Sequence, residues 1–267
     1  MANLKNTSEK WNQWLAGIID GDGYFYIDKK KTARFELTVG LSDEHVLQQI
    51  KNYYPGSLKL RAGAKAIRLR ISQKQVLKDL LIAINGKIRY PKRLKQFELL
   101  CDHFELEMKD IELLTSDNAY LAGLFDSDGT ICFNVSKTTA ELSQLSGEFG
   151  KLKRLQESRG YHQLQMSITS KEQSFLMACC HAYQCGKVYP QKVNLNTKNP
   201  NLLYHWRFTL QDLPFLMEYW KKCPIRSVKR KRVFLLPHYL DLKTQKSYLA
   251  EGMQKKSWDQ FCQKWYS

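Results

Sequence analysis

The chain reads Trp14-Leu15-Ala16-Gly17-Ile18-Ile19-Asp20-Gly21-Asp22-Gly23-Tyr24 and, 106 residues later, Tyr120-Leu121-Ala122-Gly123-Leu124-Phe125-Asp126-Ser127-Asp128-Gly129-Thr130. The two copies align without a gap and share Leu, Ala, Gly, two Asp and the Gly after the second Asp. Such a pattern rarely recurs by chance, so we interpret the chain as a duplication of one unit.

A strand pattern follows each copy of this motif. Phe25 and Ile27 after the first copy, and Ile131, Phe133 and Val135 after the second, alternate with polar or amphipathic residues. Period two indicates a strand with one buried face. Similar periodicity predicts second strands at 34–42 and 163–169, a hairpin at 58–72 with its counterpart at 187–193 and 204–209, and helices at 43–53, 74–85, 91–106, 171–183, 213–221 and 228–240. Each half is therefore predicted to be an α+β unit with a mostly antiparallel sheet.

These patterns divide the chain into four segments. We predict a first repeat at 1–108, a linker at 109–118, a second repeat at 119–242 and a tail helix at 243–267. Trp258, Phe261 and Trp265 have helical spacing, so the tail is expected to pack on the body of the protein. The segment 137–161 is rich in Ser, Gly, Lys and Glu, and we interpret it as an extended loop.

The composition points to a polyanionic partner. Lys and Arg number 42 against 26 Asp and Glu, which gives the 267 residues a formal charge of +16 and a pI near 9.5. Nucleic acid is the leading interpretation; an anionic membrane surface and a merely basic soluble protein are the alternatives. No run approaches the ~18 apolar residues of a membrane span, so no membrane role is expected. The seven cysteines form no Cys-x-x-Cys pair, which predicts reduced thiols in an intracellular compartment and no zinc site.

Small residues line one face of each motif if the motif is helical. Gly17 and Gly21 are four residues apart, as are Gly123 and Ser127. Such faces let two helix backbones approach more closely than the usual separation of about 8–10 Å between axes. We therefore expect the two motif helices to pack on each other with their C-terminal ends side by side.

This packing would bring together Asp22 and Asp128. Two carboxylates repel each other, and helix C-termini are themselves electronegative, so a bound divalent cation would relieve both effects. Oxygen ligands in an open site suit Mg²⁺, for which Mn²⁺ can substitute, and such a cation can support phosphodiester hydrolysis. A single Asp-Gly pair is typical of a turn, so the interpretation depends on the duplicated pair. Gly23 and Gly129 suit the left-handed residue that ends a helix.

Residues 15–23 and 121–129 resemble the signature nonamer of the LAGLIDADG homing endonucleases, and two copies in one chain resemble the monomeric members of that family. The resemblance extends over nearly the whole chain. It implies two pseudo-twofold αββαββα units, whose saddle-shaped sheets lie in the DNA major groove and whose motif helices pack together. It also implies a site-specific, metal-dependent endonuclease that cuts both strands of duplex DNA across the minor groove, at a long asymmetric target, and leaves short 3′ overhangs.

The resemblance assigns roles to residues around the motifs. Asp22 and Asp128 match the metal ligands, and the carbonyl groups of Gly21 and Ser127 are further candidate ligands. Family members have polar residues that order the catalytic water, and the matching positions here are Asp43 and Ser170. They also have a basic residue near the start of a late helix, which matches Arg93 and Lys229. A serine is a weaker candidate than an aspartate, which puts equal activity of the two sites in doubt. The basic positions assume that Lys95 aligns with Lys231, so Lys92, Lys95 and Lys231 remain alternatives.

The polar faces of the predicted strands are candidates for reading DNA. Arg and Lys suit guanine, and Asn and Gln suit adenine, although many such residues contact phosphate or water instead. The candidates are Tyr24, Tyr26, Asp28, Lys30, Arg34, Glu36, Lys59, Arg61, Arg68 and Arg70 in the first half, and Cys132, Asn134, Ser136, Gln163, Gln165, Lys192, Asn194, His205 and Arg207 in the second. Because the two sets differ, the target is expected to be asymmetric.

The stretch 126–130 also resembles the Asp-x-Asp-Gly-Thr loop of haloacid-dehalogenase-type phosphatases. That loop follows a continuous apolar strand and occurs once, whereas here it follows Ala119-Tyr120-Leu121-Ala122-Gly123 and the pattern recurs at Asp20. A phosphatase is therefore disfavoured. Asp20 and Asp126 are instead expected to make structural hydrogen bonds rather than to bind metal.

A role as an RNA maturase for a group I intron stays open as the alternative function, with or without nuclease activity, because some members of the family do both. The retained Asp22 and Asp128 favour an active nuclease. The resemblance also implies a monomer that is encoded by an intron of a mitochondrion or chloroplast.

Overall fold

The computed structural model describes residues 7–191 and 202–267, and the chain forms two compact units. The first unit comprises Met1–Gly129 and Ser167–Val228, and the second comprises Thr130–Met166 and Lys229–Ser267. The helices are α1 (Glu9–Asp22), α2 (Glu44–Tyr53), α3 (Lys74–Ile84), α4 (Pro91–His103), α5 (Tyr120–Asp128), α6 (Ala140–Gln144), α7 (Gly147–Gln156), α8 (Gln173–Tyr183), α9 (Leu213–Lys222), α10 (Lys229–Phe234), α11 (Leu236–Thr244) and α12 (Gly252–Tyr266). The strands are β1 (Gly23–Ile27), β2 (Ala33–Gly40), β3 (Ser57–Leu60), β4 (Ala66–Ile71), β5 (Gly129–Val135), β6 (His162–Ser170), β7 (Lys187–Pro190) and β8 (Tyr204–Phe208).

Two four-stranded sheets follow the two motif helices, with strand orders β1-β2-β4-β3 and β5-β6-β8-β7. In the first sheet Phe25 lies opposite Phe35, and Leu37 lies opposite Leu69, so the apolar residues of three antiparallel strands share one buried face. The prediction of two α+β repeats with mostly antiparallel sheets is confirmed. The end of the predicted strand 187–193 lies outside the described residues.

The segment between β5 and β6 differs from its prediction as an extended loop. It contains α6 and α7, and Thr139 caps α6 by accepting a hydrogen bond from the Leu142 amide. Within α7, Phe149 and Leu152 are three residues apart, which is the spacing of one helix face. This signal is masked by the Ser, Gly and charged residues between them, which is why the composition alone indicated a loop.

The late helix predicted at 228–240 is divided into α10 and α11. Pro237 lies in the first turn of α11. Proline has no amide hydrogen and its ring crowds the preceding turn, so it starts a helix more readily than it continues one. The break therefore has a local cause in the sequence.

The C-terminal helix α12 packs within the second unit, as predicted. Trp258, Phe261 and Trp265 are fully buried or nearly so. Trp265 lies 4.6 Å from Phe133 and Trp258 lies 4.9 Å from His162, measured between ring centroids. The tail helix therefore completes an aromatic core behind β5.

His162 makes this core sensitive to acid. Burial, with a smaller effect from Lys243, lowers its pKa to about 4. An unfolded histidine titrates near pH 6.5, so the stabilisation is present above about pH 6.5 and is lost as the pH falls towards 4. We expect the melting temperature of the native protein to fall by roughly 4–8 °C more than that of His162→Gln between pH 7.5 and 4.5. Differential scanning calorimetry measures this, with the exposed His181→Gln as the control; equal losses in native protein and His162→Gln would contradict it.

Two negative expectations concern the remaining sequence features. All seven cysteines are free thiols, as predicted. Among residues 7–191 and 202–267, none of the helices is long and apolar enough to cross a membrane.

Candidate active site

Helices α1 and α5 pack against each other through their glycines. A Cβ built on Gly17 would lie closer than 3.0 Å to the carbonyl oxygen of Tyr120, and one built on Gly123 would overlap the carbonyl oxygen of Trp14 in the same way. Real Cβ atoms essentially never approach backbone atoms so closely. The predicted packing of the two motif helices is therefore confirmed, and it requires glycine at both crossing positions.

The C-terminal ends of the two helices lie together. Gly21 faces Ser127, and a Cβ on Gly21 would lie 2.9 Å from Oδ2 of Asp128. Asp22 and Asp128 are the last residues of their helices, and both are exposed. Because helix C-termini carry partial negative charge, these carboxylates form an electronegative position that is open to cations.

The glycines after the two aspartates differ from their prediction. Gly23 has φ −77° and Gly129 has φ −72°, so both are extended rather than left-handed. Their reason is close approach: a Cβ on Gly23 would lie 2.7 Å from the carbonyl oxygen of Ile19, and Gly129 would meet Phe125 in the same way. The motif therefore needs glycine for space and not for a positive φ.

Asp20 fastens the loop before α4 to the motif. It is buried and accepts hydrogen bonds from the amides of Arg89 (2.7 Å) and Tyr90 (3.1 Å) and from the hydroxyl of Tyr120 (2.5 Å). Burial raises its pKa to about 7, against the opposing effect of these donors. The prediction that Asp20 makes structural hydrogen bonds is confirmed, whereas Tyr120 was not predicted as its partner.

Asp126 has the same role in the second repeat. Its carboxylate accepts hydrogen bonds from Trp14 Nε1 (2.8 Å) and from the amides of Arg226 (2.9 Å) and Ser227 (2.8 Å). Burial raises its pKa above the usual range. Both carboxylates therefore hold a loop that precedes a basic helix, as predicted for structural residues.

Arg93 is a predicted basic residue whose guanidinium contacts the backbone of the first motif. Its guanidinium donates to the carbonyl oxygens of Ile19 (3.0 Å) and Gly21 (3.3 Å). Burial lowers its pKa, while the charges of Asp20, Asp22 and Asp128 act in the opposite direction, so the guanidinium lies within electrostatic range of both candidate metal ligands. The alternative Lys95 is exposed on α4 and makes neither contact.

An open cleft of about 430 Å³ lies beside the motif ends. Its lining includes Gly21, Lys92, Arg93, Asp128 and Ser170. The structure thus brings together four of the predicted site residues with Lys92, one of the alternatives for the basic position.

Asp43 does not line this cleft as the structure describes it. Its Oδ1 accepts a hydrogen bond from the Val228 amide at 2.7 Å, directly before α10. Part of its hydrogen-bonding capacity is therefore used structurally. Its predicted role in ordering water stays a prediction.

Gln96 was missed by the sequence analysis and supports the register of the basic positions. Its side-chain oxygen accepts from the amide of Phe25 (3.4 Å), and Arg232 donates to the carbonyl of Ile131 (2.8 Å). Aligning Lys95 with Lys231 makes Gln96 equivalent to Arg232, just as the motif repeat makes Phe25 equivalent to Ile131. The same alignment pairs Arg93 with Lys229, which begins α10.

The donor set fits a hard divalent cation that keeps water and substrate ligands. Within the described part of the chain, no group of three or more His, Cys, Asp or Glu side chains could hold a metal by itself. Asp22 and Asp128 offer carboxylate oxygens, and the carbonyl of Gly21 has a second lone pair besides the one that accepts from Arg93. Few protein ligands, all oxygen, are typical of Mg²⁺ sites completed by water and phosphate.

The first sheet carries a continuous polar face opposite its core. Tyr24 pairs with Glu36, Glu36 with Arg70 and Lys59 with Arg68, so these five predicted DNA-reading residues occupy one face of the sheet. The exposed or half-buried members of the whole set predicted for the first half are Tyr24, Tyr26, Asp28, Lys30, Arg34, Lys59, Arg61, Arg68 and Arg70.

Glu36 departs from the other members because it is only 8% exposed. It accepts from Arg70 Nε (2.7 Å) and the hydroxyl of Tyr26 (2.9 Å), and it forms an ion pair with Arg68 at 2.8 Å. Its oxygens are therefore engaged by neighbours. In this structure Glu36 positions two arginines rather than facing a partner itself.

Glu36→Gln tests this positioning role. Removing the charge leaves two guanidinium groups without a counter-ion at a largely buried position, so we expect a loss of about 2 kcal/mol in the free energy of unfolding. Urea denaturation measures the loss, with Glu218→Gln in an exposed ion pair as the control, which should change stability by less than about 1 kcal/mol. Equal effects of the two substitutions would argue against a role of Glu36 in positioning the two arginines.

The candidates in the second half occupy both units. In the second unit Asn134 hydrogen-bonds Gln165, Gln163 and Ser136 are exposed, and Cys132 is half-buried. In the first unit Thr169 and His205 are 2.8 Å apart, and Arg207 is exposed. Lys192 and Asn194 lie outside the described residues.

Comparison with known proteins places these features in a family. The sequence profile described as "LAGLIDADG endonuclease" matches residues 15–104. The chain is 37% identical over 264 residues to the "Intron-encoded RNA maturase bI4" of Saccharomyces cerevisiae, covering 98% of this chain and 37% of that protein. It is 31% identical over 258 residues to the "Intron-encoded DNA endonuclease ai2b" of Dictyostelium discoideum, covering 94% of this chain and 88% of that protein.

A further relative and two solved structures also match nearly the whole length of this chain. The "Probable intron-encoded endonuclease aI2" of Debaryomyces hansenii is 35% identical, over 98% of this chain and 38% of its own length. The chain thus spans less than two fifths of two of these relatives. The crystal structure of the meganuclease I-AabMI bound to uncleaved DNA superposes with a TM-score of 0.64 at 17% identity, covering 95% of this chain and 97% of that one. The meganuclease I-SmaMI bound to uncleaveable DNA gives 0.66 at 14% identity, covering 98% and 96%. At these identities the superpositions establish the fold.

Proposed function

Because the chain belongs to the LAGLIDADG endonuclease family, we propose that it is a site-specific endonuclease that hydrolyses both strands of duplex DNA with divalent cations. The observation that carries this proposal is the meeting of two glycine-packed helices whose last residues, Asp22 and Asp128, are exposed carboxylates. The chain has 42 basic and 26 acidic residues, and this positive balance supports a polyanionic substrate.

The residues of the candidate site have separate roles in this proposal. Asp22 and Asp128 bind the cations, and the carbonyls of Gly21 and Ser127 are further ligands. When bound, Mg²⁺ or Mn²⁺ supplies a water of lowered pKa and neutralises charge on the scissile phosphate. Arg93, buried beside the motif, holds the Gly21 carbonyl and adds a fixed positive charge near both carboxylates.

The peripheral residues complete the proposal. Ser170 lines the cleft that holds Asp128 and is proposed to order water there, whereas Asp43 and Lys229 are proposed for the other strand. A serine hydroxyl orders water less firmly than a carboxylate, so we expect unequal cutting rates for the two strands.

The polar faces of the strands are proposed to read the DNA. The arginines held by Glu36 present fixed donors, which suits guanine N7 and O6. The two repeats carry different polar residues, so the target is a long asymmetric site, and its cleavage is proposed to leave short 3′ overhangs. The chain is proposed to act as a monomer, because it carries both motifs itself.

A maturase role is the second candidate, favoured by the 37% identity to an intron-encoded RNA maturase. In this role the protein would bind group I intron RNA and assist splicing. The names of the relatives, which are intron-encoded, also support an origin in an organelle intron, with the mitochondrion proposed ahead of the chloroplast.

Selection on a randomised duplex library tests the proposal. The purified chain is incubated with the library in Mg²⁺, and ligated ends are sequenced. We expect one asymmetric site with 3′ overhangs and no products in EDTA. The maturase function would replace the nuclease function if two results were obtained together. The protein would cleave neither the library nor DNA of the host locus without the intron, and it would stimulate splicing of a group I intron in vitro.

A further inference from the structure

A second basic recess lies in the second unit, along the edge of β5. It has a volume of about 410 Å³, and its lining includes Lys151, Arg154, Arg232 and Tyr266 beside the strand residues Cys132 and Asn134. None of its lining residues in the described chain is acidic. The recess is separate from the cleft at the motif ends, which none of these residues lines.

The segment that supplies two of these cations is specific to the second repeat. Lys151 and Arg154 belong to α7, which lies between β5 and β6. The equivalent strands of the first repeat, β1 and β2, are joined by the short turn 28–32. The recess therefore exists because of an insertion that the motif helices and the paired sheets do not require.

The two guanidinium groups are held in place by the protein. Nη1 of Arg154 donates to the carbonyl oxygens of Leu142 (3.0 Å) and Leu145 (2.7 Å). Arg232 donates to Ile131, and its guanidinium lies 5.6 Å from the ring centroid of Trp265. Neither contact involves a carboxylate, so both positive charges remain uncompensated by these contacts and are fixed along the strand edge.

The other two groups complete an anion-binding set. Lys151 is exposed and close enough to Cys132 to act on its thiol electrostatically, as is Arg232. Burial raises the pKa of Tyr266 to about 12, so its hydroxyl stays protonated and can donate a hydrogen bond at neutral pH. Three cations and one hydroxyl suit the non-bridging oxygens of a phosphodiester.

The charge of the whole second unit supports the same ligand. Its two segments hold 14 Lys and Arg against 6 Asp and Glu, a balance of +8, which is half of the net charge of the protein. Such a surface attracts nucleic acid through the release of counterions from its phosphates.

We propose that this recess binds a phosphodiester of the duplex DNA backbone and thereby fixes the position of β5 on the bases next to it. The proposal rests on the proposed function, since Cys132 and Asn134 in the same lining are candidates for reading those bases. The residues of the insertion act here by positioning the DNA.

Lys151→Gln is the decisive variant, because Lys151 is exposed and the substitution leaves the held arginines in place. Affinity for a fluorescent duplex of about 40 base pairs is measured by anisotropy at several salt concentrations in Ca²⁺. Losing one phosphate contact should reduce the slope of log K against log salt by about 0.9 and weaken binding roughly five- to tenfold at low salt. Lys256→Gln, which removes an exposed charge of α12 outside the recess, is the matched control and should keep the slope of the native protein.

The outcomes separate this proposal from the proposed function. If the native protein cleaves duplex DNA but Lys151→Gln keeps an unchanged slope, only the proposal that the recess binds phosphate is overturned. If the native protein neither binds nor cuts duplex DNA, the proposed nuclease function is overturned. A slope that changes only with group I intron RNA as the probe overturns the assignment to DNA. Tyr266→Phe should weaken binding about threefold without changing the slope, because it removes a hydrogen bond and no charge.

Discussion

Asp22→Asn and Asp128→Asn should each lower the rate of double-strand cleavage by about 10³-fold or more, with little change in affinity for the target duplex. Asparagine has the shape of aspartate but lacks its charge, so it is a poor ligand for Mg²⁺. Both carboxylates are exposed, and LAGLIDADG helices α1 and α5 should pack as before, because their contact is made by the glycines. The effect should therefore lie in catalysis rather than in folding.

Cleavage of a plasmid that carries the selected site, followed on gels that resolve nicked and linear forms, measures this effect. Asp102→Asn removes an exposed carboxylate of α4 and is the matched control; its cleavage rate should equal that of the native protein. If the native protein left the plasmid intact but hydrolysed a phosphomonoester, and Asp126→Asn lost that hydrolysis while Asp22→Asn kept it, the chain would be a phosphatase of the disfavoured type.

Gly123→Val should prevent stable folding, with a loss of more than about 4 kcal/mol in the free energy of unfolding. Its added carbons would overlap the carbonyl oxygen of Trp14 and the amide of Ile18, which are backbone atoms of α1. A backbone cannot rotate away as a flexible side chain can. Relief would need separation of the two helices, which would expose their buried residues and also displace Asp22 from Asp128.

Gly40→Ala is the matched control for this substitution. Gly40 is extended, and the nearest atom to a Cβ there is the Ser42 hydroxyl at 3.7 Å, so alanine should change stability by less than about 1 kcal/mol. Thermal melting followed by circular dichroism compares the two variants. A Gly123→Val protein that melts at the native temperature would refute the close helix crossing.

The sequence predicted those features that repeat with a fixed period. Phe25, Phe35 and Leu69 alternate with polar residues, and each lies on the buried face of the first sheet. The glycine faces of the motifs also stand at helical spacing, so the crossing of α1 and α5 could be predicted. Periodicity is a local property, and it is therefore visible before the fold is known.

Features that depend on contacts between distant residues were not predictable. Tyr120 meets Asp20 across 100 positions of sequence, and Asp43 caps the segment before α10 across 185. Glu36 has the period of an exposed polar residue, but its two arginine neighbours and Tyr26 bury it. The burial of these groups depends on which distant residues contact them, and a single sequence does not show those contacts.

Two other predictions, at α7 and at Gly23, show a different limit of sequence analysis. In α7, Phe149 and Leu152 have helical spacing, but the surrounding composition indicated a loop. At Gly23 the residue type was interpreted as a sign of positive φ, whereas the structure needs it for its closeness to Ile19. In both cases the sequence signal was present and had two physical explanations, between which the packing decided.

Anomalous scattering from Mn²⁺, in crystals of the protein with its cleaved target duplex, tests the central claim most directly. We predict peaks at about 2.1 Å from carboxylate oxygens of both Asp22 and Asp128, with DNA phosphate oxygens among the remaining ligands. Peaks that are held by other residues, or a cleaved complex in which neither carboxylate contacts a cation, would contradict it.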